Sequence, residues 1–124
     1  MDNSYFDKSP KKTTSFYAAV IVLTLFLLFS FGIDLTEYDQ HQEINIPTWF
    51  SYIVLMIDIL MVLSMIALFF YRKIGVYAYP LLIIIHLFLH EFYLSTLLYA
   101  DLFNLFVFIG LGLLAIIPKW KFFK

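Results

Sequence analysis

Four long apolar runs leave this chain little choice of fold: residues 15–33, 49–71, 74–94 and 98–117 are each close to the length at which a helix crosses a bilayer. A hydrocarbon layer of roughly 30 Å takes about 20 residues at 1.5 Å rise per residue. Inside it every backbone amide must find its partner within the segment, so each run reads as a helix. The second and third connections are only a few residues long, which makes spans two, three and four antiparallel neighbours. The expected fold class is therefore an all-α integral membrane protein, a four-transmembrane-helix bundle over residues 15–118. A tail of residues 1–14 precedes it, an acidic external loop spans 34–47, and a basic tail covers 119–124. The composition agrees: 63% of residues are hydrophobic and 14% charged, with a mean hydropathy of +0.90, against an apolar share of roughly 45–50% in soluble domains. A cleavable signal sequence competes for the first run, because Ser30 and Gly32 supply a small-x-small site. That run exceeds the roughly 7–15-residue apolar core of such signals, and retention as a span is the expectation.

Charge patterning sets the expected orientation. Lys8, Lys11 and Lys12 precede the first run, Arg72 and Lys73 lie between the second and third, and Lys119, Lys121 and Lys124 follow the fourth. The other two connections carry no basic residue, so the positive-inside rule predicts cytoplasmic N and C termini in the cell (inner or plasma) membrane. The lipid bilayer is the first partner implied. Nucleic acid is excluded as a partner, since these short flanks make no basic patch of the size it needs. With no cysteine, disulfides, thiolate metal sites and thiol redox chemistry of the vitamin-K-reductase or thioredoxin kind are excluded as well. Aromatic residues make up 21% of the chain, and Trp49 and Tyr52 on one side, with Tyr17, Tyr71, Tyr77, Tyr79 and Trp120 on the other, are expected at headgroup depth. The loop residues Asp34, Glu37, Asp39, His41 and Glu43 lack the order and the turn glycine of a calcium loop, and they read as solvated.

Ionisable residues inside the runs are the functional signal, because a charge in hydrocarbon is costly and faces the bundle interior. Asp58 lies about nine residues into span two, and His86 sits at nearly the same depth in the antiparallel span three. His86 and His90 are four residues apart and share a helical stripe with Tyr79 and Tyr93. Glu91 points about 100° away from His90. Asp101 and Asn104 open span four, beside Ser95 and Thr96, and are expected at the rim of a polar funnel that also holds Asp58, His86, His90, Glu91 and Tyr93. Pro80 predicts a kink in span three.

A funnel that is acidic, bears histidines and contains no Lys or Arg suits a proton or a cation rather than an anion. It could also hold a divalent metal through His86, His90 and Asp58, with Met61 and Met65 as soft ligands for copper. Two histidines on successive turns of one helix cannot be the opposed axial pair of a haem, and no cofactor other than a divalent metal is expected. In the plainest reading, Asp58 and His86 form one interhelical hydrogen bond that fixes helix register. No nucleophile–base set is present, so the first functional expectation is a non-enzymatic subunit or accessory protein, in a homo-oligomer or with other membrane subunits. A proton or cation channel or transporter is the alternative, and a membrane metal-binding protein or metalloenzyme ranks third.

Overall fold

A computed structural model describes residues 11–43, 45–94 and 99–124, with side chains at all of these except 93, 94, 99 and 100. It is all-helical, with no strand among the described residues: α1 (Thr14–Asp39), α2 (Thr48–Phe69), α3 (Lys73–Leu94), α4 (Tyr99–Val107), a π-helical segment (Phe108–Gly112), α5 (Leu113–Ile116) and a closing 3-10 helix (Ile117–Phe122). The last four form one fourth span. Among the described residues four helices are long and apolar enough to cross a membrane, Thr14–Asp39, Thr48–Phe69, Lys73–Phe92 and Asp101–Phe122, as the four apolar runs predict.

The buried positions explain why these helices associate. On α1 they are Phe16, Ala19, Leu23, Leu27, Ser30 and Asp34; on α3 they are Val76, Tyr79, Ile83, His86 and His90. Steps of three and four keep one stripe of each helix facing its neighbours, the spacing of four-helix bundle seams. The same rhythm runs through Val54, Asp58, Met61, Met65 and Leu68 on α2. The remaining faces carry exposed Leu, Ile and Phe, among them Leu25, Phe29, Ile59, Leu63, Phe88, Phe106 and Leu114. Lipid solvates such a surface as well as another helix would, so association rests on close packing and on polar contacts. Neighbours form a closed ring: α1 packs on α2 and α4, and α3 packs on α2 and α4. At Gly75 the approach of α3 to α2 is so close that a Cβ would strike the backbone of Ser64 and Leu68.

Helix ends follow local chemistry. Thr13 caps α1, its hydroxyl accepting from the Phe16 amide at 3.2 Å. The α2 cap is Pro47, with no side-chain capping bond, and Thr48 is the first helical residue. After α2, Arg72 N–H donates to the Ala67 carbonyl and Tyr71 N–H to the Leu68 carbonyl, a Schellman closure in which Tyr71 takes the left-handed conformation, φ 62°, usually left to glycine. Its ring is held against Phe16 and Phe123, and its carbonyl accepts from the Lys124 amide at 2.8 Å. Helix α3 runs on through Pro80. Helix α5 ends at Ile116, and helical geometry persists through Pro118 to Phe122 as a 3-10 turn, because a proline in a first turn has no amide to satisfy.

The basic residues described gather at one end of the bundle. Lys119 Nζ donates to the Lys11 carbonyl, the Lys73 amide donates to the Lys124 carbonyl, Lys12 lies over the rings of Phe69 and Tyr71, and Lys73 lies over Trp120. Lys8 lies outside the described residues.

Candidate functional site

Toward the opposite end, ionisable side chains from all four spans meet in the bundle core. Asp34 comes from α1, Asp58 from α2, His86 and His90 from α3, and Asp101 from α4, and all are buried. His86 is the hub. Its Nδ1 lies 2.5 Å from Asp101 Oδ2 and its Nε2 lies 2.5 Å from Asp34 Oδ2, with Asp58 Oδ1 3.3 Å from the same Nε2. Both ring nitrogens thus face carboxylates. A neutral imidazole carries one N–H, so these contacts hold at least one proton more than neutral histidine and ionised acids would supply.

One helical turn on, the His90 Nδ1–H donates to the His86 carbonyl at 3.0 Å. The Nε2 of His90 lies 3.0 Å from Glu37 Oε2 and 2.9 Å from Asp34 Oδ1. The two imidazole rings are 4.4 Å apart, centroid to centroid. Around this hub, Ser30 Oγ donates to Asp101 Oδ1 at 3.3 Å, and the Tyr79 hydroxyl donates to Asn104 Oδ1 at 2.9 Å.

Two features separate the cluster from a set of paired charges. Asp58 is 0% exposed, yet neither of its oxygens, nor Asp34 Oδ1, accepts a hydrogen bond, although buried polar atoms are nearly always satisfied. Acids also outnumber bases: with all groups charged, Asp34, Glu37, Asp58 and Asp101 set four negative charges against two imidazolium ions. No Lys or Arg makes an ion pair with these acids among the described residues.

Of the residues singled out from sequence, Asp58, His86, His90, Asp101 and Asn104 come together. Asp101 and Asn104 are 1% exposed, so they are walls of the core and not its rim, because their spacing of three turns both inward from the start of α4. Tyr79, expected at headgroup depth, is fully buried on the inward stripe of α3 with Ile83 and His86. Glu91 stands apart: it is exposed, on the outer face of α3, where it lines a shallow groove with Ile85, Phe88, Leu89 and Phe92. The side chain of Tyr93, and all of Ser95 and Thr96, lie outside the described residues. Met61 and Met65 pack in the apolar core cluster with Phe16, Leu23 and Ile83.

The largest correction concerns Asp34 and Glu37, expected in a solvated loop. Helix α1 continues to Asp39, which puts Asp34 into the core and Glu37 beside His90. The signal lay in the seam itself. The steps of three and four that bury Leu23, Leu27 and Ser30 continue unbroken to Asp34 and Glu37, and only the drop in hydropathy suggested that the helix had ended. The group Asp34, His86 and His90 offers three ligand atoms within 4.8 Å of one another. Asp34 thus joins His86 and His90, while Asp58, expected beside them, has Oδ1 3.3 Å from His86 Nε2. Comparison with protein-family models, with curated proteins and with solved structures finds no match.

Proposed function

We propose that this small membrane protein binds and passes a cation through the carboxylate–histidine cluster in its core. One observation carries the reading: ionisable side chains from all four spans converge on His86 within a single chain. A register-setting role needs one interhelical hydrogen bond, worth only about 0.6 kcal/mol on average in measured bundles. Burying three acids, Asp34, Asp58 and Asp101, to obtain it would be a large desolvation cost without a matching gain. The surplus of acid supports a cation over an anion.

Glu37, 21% exposed, is the route by which the cluster reaches the surface, where it lines a hollow of about 520 Å³ with Gly32, Ile33 and Thr36. Leu28 and Phe29 complete the lining, and with the basic ends taken as cytoplasmic the hollow lies in the outer half of the bundle. The test is reconstitution in liposomes under imposed proton, sodium and divalent-cation gradients. Flux above that of empty liposomes for at least one of these is expected, and flux equal to empty liposomes for all of them removes the reading.

A second reading, a non-enzymatic subunit of a homo-oligomer or larger assembly, is favoured by Glu91, an exposed acid on an otherwise apolar helix face. Native mass spectrometry of gently solubilised protein separates the two, since a stable monomer with no co-purifying chain counts against assembly.

A further inference from the structure

We propose that His86 Nε2, His90 Nε2 and a carboxylate oxygen of Asp34 are the primary ligands of one divalent transition-metal ion, with Asp58 completing the set. This rests on the cation reading above and names the class of cation. Three ligand atoms already lie within 4.8 Å of one another on side chains with almost no freedom to rearrange.

The second argument is orientation. A metal-bound histidine typically gives its other ring N–H to a carboxylate or a backbone carbonyl, which fixes tautomer and ring plane. Both partners are present: His86 Nδ1 faces Asp101, and His90 Nδ1 faces the His86 carbonyl. That leaves both Nε2 atoms directed at Asp34. The third argument is independent of the cluster's acidity. Asp58 is fully buried, its Oδ1 is 3.3 Å from His86 Nε2, and both of its oxygens lack a hydrogen-bond donor, so it has coordinating capacity that no protein group uses.

Tetrahedral ligands at about 2.0–2.1 Å from an ion lie about 3.3–3.4 Å from each other. Asp58 Oδ1 already stands at that spacing from His86 Nε2; the 2.5 and 2.9 Å contacts to the two oxygens of Asp34 reach it by opening less than an ångström, and the widest pair of the trio, within 4.8 Å, reaches it by closing about 1.5 Å. Two imidazoles with carboxylates suit zinc, manganese, iron or cobalt(II). All-oxygen donors would suit magnesium or calcium, and the buried Met61 and Met65, packed among apolar residues, leave copper(I) without its soft ligands.

The test is Co²⁺ and Zn²⁺ binding to the purified full-length protein in detergent, read by cobalt ligand-field absorption, elemental stoichiometry and titration. One Zn²⁺ per chain is expected, with cobalt bands of a low-coordinate N/O site. Asp34→Asn and His90→Gln are each expected to weaken Zn²⁺ by tenfold or more, and Asp101→Asn by about 10–100-fold through the second shell. Glu91→Gln and His41→Gln, outside the cluster, leave binding unchanged. Thermal melting of each apo variant shows whether it folds, and a variant that melts like the parent yet keeps full affinity overturns the ligand assignment. Absence of stoichiometric Zn²⁺ and of cobalt bands overturns the proposal as a whole. Proton or sodium flux through the same preparation then decides whether the broader cation reading survives it.

Discussion

At the scale of the residue, Asp58 and Asp101 are both buried aspartates beside His86, yet they do different work. Asp101 accepts from His86 Nδ1 and from Ser30 Oγ. Asp101→Ala leaves two donors unpartnered, and a loss of about 1–3 kcal/mol in unfolding experiments in detergent is expected. Asp58 accepts nothing, so Asp58→Asn removes a buried ionisable group without breaking a hydrogen bond; its melting midpoint is expected to equal or exceed that of the parent. Tyr79→Phe loses the bond to Asn104 and is expected to cost about 0.6 kcal/mol, with a ceiling near 1.7. Asp58 and the histidines were legible in the sequence as ionisable groups inside apolar runs. The role of Asp101 as partner to the far side of the His86 ring was not, because spacing along one chain says nothing of which nitrogen a neighbouring helix will meet.

At the scale of the element, the seams explain both what sequence reading captured and what it missed. Hydropathy located all four spans, since a long apolar run has few alternatives. It misplaced the end of the first, because Asp34 and Glu37 lower the local hydropathy while preserving the steps of three and four that continue α1 to Asp39. The π-helical segment Phe108–Gly112 had no sequence signal at all. The close approach of α3 to α2 gives a sharp test. Gly75→Ala drives a methyl group into the backbone of Ser64 and Leu68 and is expected to destabilise by at least about 1–3 kcal/mol. Gly32→Ala, with nothing within 4 Å of the added Cβ, is expected to be neutral or to stabilise by up to about 1 kcal/mol through helix propensity. Paired thermal or denaturant unfolding of the two variants makes the comparison, and equal effects would contradict the packing described here.

At the scale of the whole molecule, the two ends of the bundle are chemically opposite. Basic residues and aromatic rings crowd one end, while the acidic cluster lies nearer the other and reaches the surface at Glu37. The cysteine-free chain allows this polarity to be mapped with single thiols. A membrane-impermeant reagent applied to intact cells is expected to label Glu43→Cys, and to label Lys12→Cys and Lys121→Cys only after permeabilisation. In the proposed function the buried cluster handles a cation and is not a device for holding helices together. Asp58→Asn separates these roles because it removes the ionisable carboxylate and weakens its ligation of a cation while breaking no hydrogen bond accepted by Asp58. The most direct measurement is therefore cation flux in liposomes containing Asp58→Asn protein of unchanged melting midpoint, beside the parent. Loss of flux to the level of empty liposomes is expected; flux equal to the parent's would contradict the claim.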